Sequence, residues 1–274
     1  MSEASYLADF HLHCRWSPDS RAPMEEIARA AVRQGLHEIC LTDHVEVMSS
    51  GSWTRNTFDW AALDREYAQA RAALGDEIII RRGVELGEAP RDFAYAEQLL
   101  AQMPPVDFVI GSIHQLSERY GCEDLFYAAS ADPAEARRQI ADYLELVLRQ
   151  AKWGKFSVQG HLTLPLRYMN ENRGGHMTFD GFEAEMAEIC RTLAANGCGI
   201  EVNTNRGNTP LPDEKWLRLY RACGGEIVTL GSDAHAPASV GCHIREGQRL
   251  LRECGFRAFC TFRNGKPVFH DLPD

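Results

Sequence analysis

Ten histidines are spread over 274 residues, and six of them stand at the ends of short apolar runs. His11 and His13 lie in DFHLH, His44 in LTDH, His114 in IGSIH, His161 in QGH and His235 in GSDAH. Acids share these positions: Asp19 in SPDS, Glu85 in GVEL and Asp233 in GSD. Imidazole and carboxylate together are ligands for divalent metals such as Zn²⁺, Mn²⁺ and Fe²⁺. Gathered without a cation, they would crowd unpaired polar groups into a small space. The pattern therefore predicts a metal centre. Residues i and i+2 of a strand point to one face, so His11 and His13 can grip a single ion. The other four histidines, His37, His176, His243 and His270, do not end such runs.

These side chains need elements that converge. Seven apolar, often β-branched runs read as strands: 5–11, 37–43, 77–86, 106–113, 156–161, 198–203 and 226–233. Amphipathic segments between them read as helices. Residues 22–35 have Pro23 near the start and Gly35 at the end, the expected helix punctuation. Residues 58–75 stop at Gly75, and residues 132–154 run from Asp132-Pro133 to Gly154. Residues 178–197 have Thr178 or Asp180 as a cap and Gly197 as a stop; residues 211–225 form a further helix. Repeated β–α units mean a parallel sheet, and seven of them suggest a closed (β/α)7 barrel of the TIM-like kind. An open doubly wound sheet is the alternative. In a barrel the chemistry sits at the C-terminal ends of the strands, where the six histidines fall. Asn264-Gly265 between two β-like runs predicts a terminal hairpin over 255–272. With no linker or repeat, residues 1–274 read as a single domain.

Composition narrows the function. The formal net charge of −10 argues against a grip on long nucleic acid or an anionic membrane. No run approaches a membrane span. The first residues, MSEASYLADF, lack the pattern of a signal peptide. The nine cysteines are odd in number and contain no C-x-x-C, which suits a reducing cytoplasm.

Taken in order, DFHLHCRWSPDS, LTDH, GVEL, IGSIH, QGH, IEVNT and GSDAH resemble the motifs of the PHP family, named for polymerase and histidinol phosphatase. SPDSRAPMEEIARAAVRQGLHEICLTDH and DFVIGSIH are most similar to its histidinol-phosphate phosphatase branch. The resemblance implies a distorted seven-stranded barrel holding three divalent ions, Zn, Mn or Fe. It assigns the first ion to His11, His13, Glu85 and Asp233. The second takes Glu85 as a bridge with His114 and His161, and the third takes Asp19, His44 and His235. Many relatives have His where this chain has Asp19, a harder ligand. Asp9 and Asp43, each near a ligand histidine, are expected to orient rather than ligate.

The chemistry so implied is hydrolysis of a phosphomonoester, with a hydroxide bridging the first two metals across Glu85. L-histidinol phosphate, in histidine biosynthesis, is the expected substrate. Nucleotides or other small phosphate esters are the alternative. A regulatory module with a degraded site is disfavoured, because no ligand position is occupied by an apolar residue. Arg167 and Arg206, in loops on the rim, are candidates to neutralise the phosphoryl oxygens. Asp19, His235 or a metal-bound water is left to protonate the leaving alkoxide. Glu46, Trp53 and Tyr168 are rim candidates for the substrate's amine and imidazole. The polar segment 45–57 is either a lid or an ordinary surface loop.

Overall fold

The computed structural model describes residues 5–48 and 59–273. Trp53 and most of the 45–57 segment lie outside them.

Seven parallel strands form a nearly closed barrel with helices alternating around it. Its strands are β1 (Ala8–Leu12), β2 (Glu38–Leu41), β4 (Ile79–Gly87), β5 (Phe108–Ser112), β6 (Val158–Gln159), β7 (Gly199–Asn203) and β8 (Val228–Gly231), paired in that order. The last strand meets the first near their C-terminal ends. Asp233 N donates to His11 O at 2.9 Å and His13 N to Ala234 O at 2.9 Å. The alternating β–α pattern thus closes on itself, as expected, rather than opening into a doubly wound sheet.

One strand differs from the sequence reading. The second run ends at Leu41, breaks at Thr42-Asp43 and resumes as β3 (His44–Glu46), which pairs with Glu85–Gly87 of β4. The break has a polar cause. Asp43 accepts from Cys14 N at 2.8 Å and Ser17 Oγ at 2.7 Å, and Thr42 Oγ1 accepts from Leu12 N at 3.0 Å. These bonds draw the chain toward the end of β1. Glu46 therefore belongs to the sheet, not to a loop.

The helices are α1 (Met24–Arg33), α2 (Trp60–Leu74), α3 (Phe93–Gln102), α4 (Leu125–Ala128), α5 (Pro133–Trp153), α6 (Glu183–Ala195), α7 (Glu214–Ala222) and α8 (Ile244–Glu253). Side chains of Asp59, Asp92, Asp132 and Asp213 cap α2, α3, α5 and α7. Neither Thr178 nor Asp180 caps α6. Gly181, at φ 84°, interrupts the chain there, and the helix starts at Glu183. Helix α8 was hard to foresee because Gly247 lies inside it. A Cβ there would meet Leu230 Cδ2 at 2.6 Å, so close packing on β8 requires the glycine.

The barrel end away from the histidines is plugged by aromatics. Phe10 and Phe108 meet edge to face at 5.4 Å, and Phe108 lies 4.9 Å from Phe262. Phe262 comes from an antiparallel hairpin of β9 (Ala258–Arg263) and β10 (Lys266–Asp271). Its turn binds Asp107 through Asn264 N and Gly265 N. Phe108 is 1 % exposed. Phe108→Ala is expected to cost about 3–5 kcal/mol by leaving a cavity at the junction of barrel and hairpin. Urea unfolding checks this; a midpoint equal to wild type would refute it.

Candidate metal centre

The residues singled out at strand ends arrive in one place. His11, in β1, and His13, one residue past its end, each send Nε2 toward the same two acids. His11 Nε2 is 3.2 Å from Glu85 Oε2 and 3.6 Å from Asp233 Oδ1; His13 Nε2 is 3.5 and 3.4 Å from them. The other oxygen of Glu85 faces a second pair: Oε1 lies 3.1 Å from His114 Nε2 and 2.8 Å from His161 Nε2. Asp19 returns from its loop so that Oδ2 sits 2.9 Å from His235 Nε2 and 3.6 Å from His44 Nε2. The His13 ring stacks between those of His44, at 4.4 Å, and His235, at 4.1 Å.

This donor set fits cations. His11 Nε2, His13 Nε2 and Glu85 Oε2 are buried with no hydrogen-bond partner. Among the described residues, four triads of ligand atoms lie close enough to share an ion, including His11–His13–Asp233 and His11–Glu85–His161. Burial alone would raise the Glu85 carboxyl. The adjacent His11, His44 and His114 outweigh it and hold the group well below the usual carboxylate range. Burial, with the charges of His235 and His44, pushes His13 down to about 3, so its imidazole is neutral and able to ligate.

Behind these groups lies a layer of acceptors. Asp43 accepts the hydrogen bond of the Ser17 hydroxyl, which leaves Ser17 Oγ to accept from His13 Nδ1 at 3.0 Å. Asp9 accepts from Ser232 N and Gly241 N, both at 2.9 Å, and so ties β1 to β8. Both acids are buried and spend their oxygens on backbone and side-chain donors behind the histidines. Glu201 was missed by the sequence reading. Its Oε1 lies 2.6 Å from His11 Nδ1 and its Oε2 accepts from His161 N at 2.8 Å. The signal was an acid inside the apolar run CGIEVN, two residues before Asn203. Gly231 makes room for it, since a Cβ there would meet Glu201 Oε1 at 2.1 Å.

The two arginines differ from the expectation of two equivalent rim cations. Arg206 is exposed at the rim. Arg167 opens a π-helical turn over Arg167–Asn172 and turns inward. Its Nε donates to Asn205 Oδ1 (2.9 Å), Nη1 to Asp233 Oδ2 (2.8 Å) and Nη2 to Asn203 Oδ1 (2.9 Å). Asp233 thus turns one oxygen to the histidines and the other to Arg167. Glu46 also departs from expectation. It is 2 % exposed and faces the histidines, not the rim. Tyr168 does line the cavity. His37 and His270 stack on Tyr6 at the opposite end of the barrel.

A cavity of about 370 Å³ opens above this floor. Its far wall carries Asp124, Phe126, Tyr168 and Glu171, with Arg206 and Asn208 at the edge. A distorted barrel with histidines and acids pooled at the C-terminal strand ends is the architecture of a metal-dependent hydrolase. The PHP domain family model matches residues 9–205, and the chain belongs to that family. It is similar to the histidinol-phosphatase of Lactococcus lactis subsp. lactis, at 27% identity over 94% of this chain and 95% of that one. A probable histidinol-phosphatase of Deinococcus radiodurans is 28% identical over 95% of this chain and 98% of the other. The crystal structure of the Lactococcus lactis histidinol phosphate phosphatase, complexed with zinc, L-histidinol and phosphate, superposes with a TM-score of 0.81. That match has 25% identity and covers 97% of this chain and 100% of that one.

Proposed function

We infer that this chain is a phosphoric monoester hydrolase, a metal-dependent histidinol-phosphate phosphatase. The observation that carries the reading is Glu85, whose two oxygens separate two sets of histidines at the floor of an acid- and aromatic-walled cavity. The curated relatives point the same way over nearly their whole length.

The first ion is assigned to His11, His13, Glu85 and Asp233. The second goes to Glu85, His114 and His161, and the third to Asp19, His44 and His235. Zinc is the first choice of metal, with Mn²⁺ or Fe²⁺ as alternatives because Asp19 is a hard ligand. When bound, such ions acidify water and offset charge on the phosphoryl group. The remaining work falls to the chain. Arg167, anchored on three acceptors, presents a fixed guanidinium toward the phosphoryl oxygens, and Arg206 adds an exposed one from the rim. Asp19 and His235 are the most open of the ligand set, with side chains 41% and 24% exposed, and so face the leaving group. Asp124 and Glu171 offer carboxylates to the amine and imidazole of L-histidinol. The Phe126 and Tyr168 rings, 5.8 Å apart, offer apolar faces. The same acids would repel the additional phosphate of a nucleoside bisphosphate.

We take the chain as a single domain. No described helix is long and apolar enough to cross a membrane, and all nine cysteines are free thiols, which suits the reducing cytoplasm of histidine biosynthesis. The test is kcat/KM after reconstitution with Zn²⁺, Mn²⁺ or Fe²⁺. The substrates are L-histidinol phosphate, p-nitrophenyl phosphate and nucleoside mono- and bisphosphates. Preference for histidinol phosphate by more than about 10³-fold is expected, since polar contacts to a substrate discriminate strongly. Equal rates on all esters would remove the substrate assignment, and turnover indifferent to chelator would remove the metal.

A further inference from the structure

Glu46 is a buried acid with no part in the ligand set above. It lies two residues beyond His44 in β3, so the two side chains share a face. Its Oε1 is 3.5 Å from His44 Nδ1 and 3.4 Å from His114 Nδ1. The side chain is 1% exposed, and an acid so placed needs a positive or donating partner. Room for it comes from Gly87, where a Cβ would lie 2.1 Å from Oε2 and 2.5 Å from Oε1.

Each imidazole has one nitrogen to donate and one to ligate. His44 turns Nε2 to Asp19, and His114 turns Nε2 to Glu85. The competing acceptor for His44 Nδ1 is Glu85 Oε2, at 3.0 Å. With Glu85 committed to cations, the Glu46 carboxylate is an acceptor within reach of both Nδ1 groups. We propose that Glu46 is a positioning residue that couples the second and third ion sites, its single carboxylate aiming His114 for one and His44 for the other. The inference rests on the ligand assignment above. It parallels Glu201, which serves His11 in the first site from the other side of the barrel.

The experiment is titration of metal-free protein with Zn²⁺ in competition with a chromophoric chelator, for wild type, Glu46→Gln and Gly87→Ala. Loss of an orienting partner typically costs 10–100-fold in metal affinity. Glu46→Gln is expected to weaken two of three ions by about that factor and to leave the count at saturation unchanged. Gly87→Ala, which keeps the charge but displaces the carboxylate, is expected to reproduce the loss. Adding Glu46→Gln to it is expected to cost little more. Far-UV circular dichroism separates loss of fold from loss of aim, and if Gly87→Ala does not fold, Glu46→Gln alone decides. Wild-type affinity in Glu46→Gln overturns the proposal. So does saturation with one ion fewer, which makes Glu46 itself a ligand. Wild-type protein that takes up no zinc overturns the ligand assignment as well.

Discussion

Glu85→Gln is expected to lower kcat/KM on a phosphomonoester by about 10³-fold, and to release the first two ions together. The side chain is 1% exposed and lies within 3.5 Å of five histidines: His11, His13, His44, His114 and His161. Glutamine keeps the shape but removes the charge, and it replaces one acceptor by an amide that donates. Breaking a buried charge set by removing one partner costs about 3–5 kcal/mol. At 1.36 kcal/mol per decade, that is a factor of about 10²–10⁴. Steady-state kinetics and atomic-emission metal analysis read the two halves of the expectation. Full metal content with unchanged kcat/KM would falsify the bridging role.

Arg167→Ala carries the second large effect, about 10²–10³-fold in kcat/KM, the usual cost of losing one fixed donor to a charged transition state. The geometry adds a consequence absent for Arg206. Arg167 binds Asp233 Oδ2 at 2.8 Å, so its removal loosens an acid that faces His11 and His13. Metal content is therefore expected to fall in Arg167→Ala and to stay whole in Arg206→Ala. Lysine at 167 should not rescue, because an ammonium cannot span the fork formed by Asn203, Asn205 and Asp233. Equal metal loading of both alanine variants, or equal kinetics, would show that the two arginines act alike and that the inward anchoring has no functional weight.

The barrel was legible because its elements obey two local periods. Buried strands appear as short β-branched runs, and helices as apolar stripes between Asp or Pro starts and Gly stops. Where the sequence reading erred, a long-range contact overrode the local rule. The second strand breaks at Asp43 because that side chain is claimed by Cys14 and Ser17 on a neighbouring loop. Helix α8 tolerates Gly247 because Leu230 occupies the space of its Cβ. Glu46 was read as a rim residue because nothing local shows that β3 resumes after the break.

The sequence by itself determined most of the side chains that gather at the strand ends, and with them the character of the centre. Histidine and acid at a strand terminus are chemically unmistakable, and the order of the strands is the order of the chain. Tertiary structure alone decided which nitrogen and which oxygen face one another. It decided that Glu85 stands between two sets of histidines, that Arg167 points inward, and that Glu46 and Glu201 lie beside and behind those histidines. These are contacts between residues far apart in the chain, fixed by how the barrel closes, and no local pattern of residues encodes them.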